Sequence, residues 1–125
     1  MLLKDNLYTV MCMDRERSAV DVALCPDSII YRAHFPERPV TPGVCIIQAA
    51  VELLGLLHGR EYVLQEVSAA KFLRVISPLD MQLVSYVFTK SAPSERGDTV
   101  KACVTVLEPA AKQVCAKLTI LCQAS

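Results

Sequence analysis

The run from Val44 to Leu57 constrains this chain more than any other segment. Only Gln48 and Glu52 interrupt its apolar character. Thr41 is a good N-cap ahead of it, and Pro42 suits the first helical position, where a missing N–H costs nothing. Gly59 is a stop signal after His58. The pattern predicts a helix over 42–58, ~25 Å long. A helix that is apolar nearly all round needs a container on most of its sides. The run is shorter than the ~20 residues that cross a bilayer, so no membrane span is expected.

The flanking segments can supply that container. Strand-like patterns cover 7–13, 18–24, 63–75 and 81–89, with Val84, Tyr86 and Phe88 on one face. Val100, Ala102, Val104 and Val106 alternate with more polar neighbours, as do Val114, Ala116, Leu118 and Ile120. Turn chemistry at 77–80, 92–98 and 108–110 separates the later strands. There is one helical region, and almost everything else is strand. The expected fold class is α+β: an antiparallel sheet of five to seven strands around one central helix, as a single domain over 1–125.

Composition narrows the function. Hydrophobic residues make up 53% of the chain and charged residues 21%. So little charge in a small chain points to apolar surface covered by a second chain, most simply in a dimer. The 13 basic and 13 acidic residues cancel, which argues against nucleic acid as a partner. The six cysteines form no C-x-x-C pair, and no His/Cys cluster has ligand spacing. They read as buried free thiols, with no metal and no cofactor called for. Met1-Leu2-Leu3 runs straight into Lys4 and Asp5, so no signal peptide is expected and the location reads as cytoplasmic.

The chemistry-bearing segment is His34-Phe35-Pro36-Glu37-Arg38-Pro39-Val40-Thr41-Pro42-Gly43. It sets one histidine, a base near neutral pH, beside a helix start whose N–H groups favour negative charge. Gln48 lies a turn and a half into the helix. Together with Val44 to Ala49 this segment resembles the signature H-F-P-G-H-P-x-x-P-G-V-x-x-x-E-A of the 3-hydroxyacyl-(acyl-carrier-protein) dehydratases. Lys71 to Asp80 is similar to the K-F-R-R-x-V-x-P-G-D strand and turn of the same family, at the family's spacing.

The resemblance implies a hot-dog fold and the elimination of water from a 3-hydroxyacyl thioester, giving the trans-2-enoyl thioester in fatty-acid or related biosynthesis. It implies His34 as the base that takes the C2 proton, and the Gly43 N–H as the group that polarises the thioester carbonyl. It puts Gln48 at the acid position, where the family has a glutamate that reaches the site from the partner's helix. Phe35, Val44, Phe72 and Leu73 would contact substrate, although Phe72 and Leu73 read equally as core. The implied substrate is acyl-carrier protein or coenzyme A bearing an acyl group. The implied assembly is a homodimer, with a heterodimer or a trimer of dimers also open.

The chain departs from the signature in three places. Gln48 cannot release a proton at neutral pH. Glu37 and Arg38 replace a glycine and a histidine. Glu52 stands where glutamine is common, one turn beyond Gln48 on the same line, and either reaches the site through a water or makes a structural contact. His58 reads as a structural cation at the helix end. Tyr31 and Phe35 read as anchors of the His34 loop. Lys71 and Arg74 could face an acidic carrier protein or simply solvent. Two rival functions remain: an impaired subunit paired with a chain that carries the glutamate, and a hot-dog thioesterase.

Overall fold

The computed structural model describes residues 2–125, except for the Ala92 side chain. Six strands form one antiparallel sheet in the order β1-β2-β4-β5-β6-β3. They are β1 (Tyr8–Asp14), β2 (Ala19–Leu24), β3 (Tyr62–Phe72), β4 (Leu83–Pro93), β5 (Thr99–Glu108) and β6 (Gln113–Ala124). A long helix, α2 (Gly43–His58), lies against the sheet, and a short one, α1 (Ile29–Ala33), precedes it. This is the α+β hot-dog arrangement.

The core forms where the apolar strand faces meet the helix. Ile46, Ala49, Ala50, Leu53 and Leu54 are buried against Val84, Tyr86, Phe88, Val104, Leu118 and Ile120. Tyr86 is buried whole, and its hydroxyl donates to the Ile46 carbonyl at 3.2 Å, so its polar end is satisfied inside the core. Alternation holds along β5, where Val100, Ala102, Val104 and Val106 all point inward. It breaks in β6. A bulge shifts the register beyond Val106, and Cys115 turns inward beside Ala116 while Val114 is only half-buried.

Several boundaries differ from the sequence expectation, each for a local reason. The segment 29–33 is helical because the Ser28 side chain accepts from Ile30 N–H and caps the turn. The third strand stops at Phe72 rather than continuing to Val75, because Leu73 and Arg74 N–H both turn onto the Cys115 carbonyl. The fourth strand begins at Leu83 and runs on through Pro93, taking in residues expected to form a turn. Thr41 is not the cap of α2. The cap is Pro42, with φ −61° and ψ 145°, and Gly43 is the first helical residue. The Thr41 hydroxyl is instead buried in a 2.7 Å hydrogen bond with the Tyr31 hydroxyl.

Gly59 closes α2 in the left-handed conformation, at φ 69°. The chain then doubles back, and Arg60 N–H bonds the Gly55 carbonyl at 3.0 Å. A Cβ on Gly55 would lie 2.6 Å from the Arg60 carbonyl oxygen. Gly55→Ala is therefore expected to cost about 1–3 kcal/mol through overpacking, despite alanine's better helix propensity. A chemical denaturation midpoint equal to wild type would show that the cap relaxes freely.

The β3 strand pairs only with β6 and leaves its other edge open. Val63, Val67 and Phe72 are exposed along it. No helix among the described residues is long and apolar enough to cross a membrane.

Candidate active site

The His34 loop is built from backbone hydrogen bonds. His34 ends α1, its N–H bonded to the Ile30 carbonyl at 2.9 Å. Its carbonyl accepts from Val40 N–H at 2.7 Å, which closes the intervening loop. Inside the loop, Phe35 and Arg38 exchange backbone bonds of 3.3 and 3.1 Å. The imidazole itself is exposed. Thr41 then joins the loop to two other elements, through the Ile76 carbonyl at 2.9 Å and through Tyr31. Tyr31 is buried, and burial pushes its phenol up to about 12, so it remains protonated at neutral pH. Tyr31 is thus a loop anchor. Phe35 is not, because its side chain is 59% exposed.

The start of α2 carries unspent donors. Pro42 has no side-chain oxygen to offer, and no side chain caps the first turn. Its carbonyl takes Cys45 and Ile46 N–H at 2.9 and 3.1 Å. Among the described residues, nothing accepts from Gly43 or Val44 N–H, which leaves a site for negative charge. A groove of about 460 Å³ opens here, lined by Val40, Gly43, Ile46, Phe72, Leu73 and Val75 among others. The Phe72 ring lies against Gly43: a Cβ there would meet its Cζ at 3.0 Å. Glycine therefore lets the ring approach the helix start. Burial raises the Cys45 thiol in the same turn, so it is a poor thiolate.

The expected site residues are only partly brought together. Gly43, Phe72 and Leu73 share this groove. Val44 does not line it and stands 75% exposed. Gln48 lies five residues on, ~140° round the helix from Gly43, and faces a second groove of about 640 Å³. That groove is lined by Leu2, Val51, Glu52, Gly55, Leu56 and Tyr62 among others. Within one chain, then, the helix start and Gln48 look onto different surfaces.

Glu52 is a structural anchor. Leu3 N–H reaches both carboxylate oxygens at 3.1 and 2.9 Å, Lys4 N–H reaches Oε1 at 3.0 Å, and the Tyr8 hydroxyl donates at 2.8 Å. Gln48 Nε2 supplies another donor at 3.1 Å. Nothing in the sequence announces these partners, since two are backbone groups and all but Gln48 are more than 40 positions away. Arg74 also differs from expectation. Its guanidinium pairs with the buried Glu108 carboxylate, so of the two basic residues only Lys71 faces solvent freely. Cys12 is exposed, contrary to the expectation of buried thiols; Cys25, Cys45 and Cys103 are half-buried.

His58 is structural, held through both ring nitrogens. Its Nδ1 bonds the Tyr62 hydroxyl at 2.8 Å and its Nε2 bonds Ser91 Oγ at 3.2 Å. Burial, and then the Arg60 charge, lower its pKa. The unfolded chain therefore takes up the proton first as pH falls. The His58 contribution to stability is complete above ~6.5 and is lost as pH drops from there toward the folded value. Between about pH 7.5 and about pH 5, wild type should lose more denaturation midpoint than His58→Gln. Parallel losses would remove this linkage.

The site lies inside a recognisable sequence frame. The ApeI-like model, described as ApeI dehydratase, matches residues 11–96. The 3-hydroxyacyl-[acyl-carrier-protein] dehydratase FabZ of Levilactobacillus brevis is 31% identical over 125 aligned residues, covering 89% of this chain and 83% of that protein. Among solved structures, the dehydratase heterocomplex ApeI:P of Xenorhabdus doucetiae superposes with a TM-score of 0.62 at 16% identity, over 93% of this chain and 97% of that one. A hypothetical thioesterase of Streptococcus pneumoniae, solved with coenzyme A, superposes with a TM-score of 0.62 at 12% identity, over 94% and 85%. These two likenesses show the fold; the sequence matches show more, and by them the chain belongs to the ApeI-like dehydratases, within the FabZ-like hot-dog dehydratase family.

Proposed function

We propose that this chain eliminates water from a 3-hydroxyacyl thioester carried on acyl-carrier protein, giving the trans-2-enoyl thioester. The observation that carries this reading is the helix start. Gly43 and Val44 N–H are unspent beside an apolar groove, and the His34 loop is tied to the same helix through Thr41. His34 takes the C2 proton, Gly43 N–H receives the enolate-like charge on the thioester oxygen, and Phe72 and Leu73 contact the acyl chain. Phe35 and Val44, both exposed on one chain, contact substrate once a second chain encloses them. All of these residues lie within the matched span.

A dimer completes the site. The open edge and exposed apolar residues of β3 suit pairing with a second chain. Such pairing can bring the Gln48 face of one helix to the His34 side of the other. The assay is conversion of 3-hydroxyacyl thioester to the enoyl product by wild type and His34→Ala. Equal rates would remove His34 from the reaction. Release of free thiol from acyl thioester without enoyl formation would favour a thioesterase instead.

Gln48 favours a second reading, in which this chain pairs with another hot-dog chain that carries a glutamate at the equivalent helix position. One acid-complete site would then form per pair. The ApeI:P structure is itself a heterocomplex of a dehydratase. Full activity of the isolated homodimer would overturn that pairing.

A further inference from the structure

We infer that Glu52 is a positioning residue that turns the Gln48 amide carbonyl toward the groove, so that this position selects a 3-hydroxyacyl group through its hydroxyl hydrogen. The inference rests on the thioester reading above and names what the Gln48 face recognises.

The first support is hydrogen-bond chemistry. An ionised carboxylate only accepts, so the amide group that faces it must be the nitrogen. Gln48 Nε2 donates to Glu52 Oε2 at 3.1 Å. The carbonyl Oε1 then points the other way, open to solvent, and no described residue donates to it. The second support is rigidity. Leu3 N–H, Lys4 N–H and the Tyr8 hydroxyl hold both Glu52 oxygens, so the carboxylate cannot swing away and release the amide. Tyr8 remains a donor, since its burial and the neighbouring Glu52 charge both raise its pKa. The third support is the setting. Gln48 and Glu52 share a groove walled by Val51, Gly55 and Leu56. Lys4, Arg60 and Glu61 lie on the same groove, and with the Glu52 oxygens already engaged, the Gln48 amide carbonyl is a neutral acceptor free for a ligand.

An acceptor there matches an alcohol at C3, which has a hydrogen to give. It opposes a ketone at C3, which offers only lone pairs, and it is indifferent to an unsubstituted chain. One such hydrogen bond is worth about 3- to 10-fold in affinity.

The test measures binding of 3-hydroxybutyryl, 3-oxobutyryl and butyryl pantetheine thioesters to the His34→Ala protein, which does not consume them. The expected ranking is hydroxyl, then unsubstituted, then ketone. Glu52→Gln frees the amide to flip, and the gap between hydroxyl and ketone should narrow. Tyr8→Phe removes a Glu52 contact but leaves the Gln48 bond, so it should lower stability and keep the ranking. The Gln48 side-chain NH2 signals in a nitrogen-15 spectrum give a readout that needs no ligand: they should move in Glu52→Gln and stay in Tyr8→Phe. Equal binding of hydroxyl and ketone thioesters, with turnover in wild type intact, would overturn this inference and leave the dehydratase reading standing. Failure of all three to bind would overturn the thioester reading and the selectivity with it.

Discussion

His34→Ala is expected to lose about 10²- to 10⁴-fold in enoyl thioester formation, the range that a positioned general base contributes. The fold should hardly change. The imidazole is exposed, and the bonds that shape the loop use the backbone N–H and carbonyl of His34, which alanine retains. The loss should fall on kcat rather than KM, because in the proposed reaction the imidazole acts on a proton while the groove and helix start hold the thioester. His34→Gln should be as inactive as alanine, since an amide has no basic nitrogen. A small loss shared equally between kcat and KM would mean that His34 only shapes the loop.

The helix was legible because its apolar residues are nearly unbroken, and the central strands because their alternation is strict. Both patterns report burial directly. The histidine loop was legible because prolines and a glycine fix its spacing to the helix. What escaped was set by contacts across the chain. Thr41 has the chemistry of a cap, yet its hydroxyl is buried against Tyr31 by packing that no local rule contains. The helix over Ile29–Ala33 is too short to show a period. The inward turn of Cys115 follows from a bulge created by pairing with β5. Glu52 stays open in the sequence between a structural contact and a water-borne one, because its partners Leu3 N–H, Lys4 N–H and the Tyr8 hydroxyl lie more than 40 positions away. The split between the Gly43 groove and the Gln48 groove comes from the helical period, and it is why the proposed reaction calls for a second chain.

Gln48→Glu is expected to raise turnover of the isolated protein by about 10²-fold, the lower end of what a positioned acid supplies. The new carboxylate would replace an amide nitrogen that sits 3.1 Å from Glu52 Oε2. Two carboxylates that close do not both ionise, so the pair keeps a proton to a higher pH than either would alone. Glu52 is the member already held by Leu3 N–H, Lys4 N–H and the Tyr8 hydroxyl, all of which favour the anion. The shared proton therefore resides on residue 48, in a hydrogen bond to Glu52, and it reaches the leaving hydroxyl when the new carboxyl turns toward the groove. The rate should decline as pH rises and the pair loses that proton. Adding Glu52→Gln to Gln48→Glu removes the like charge, returns the acid toward an ordinary carboxyl near ~4.3, and should move the optimum to lower pH. An unchanged rate in Gln48→Glu, with His34→Ala still inactive, would show that the chain does not lack an acid, and the case for a glutamate-bearing partner would go with it.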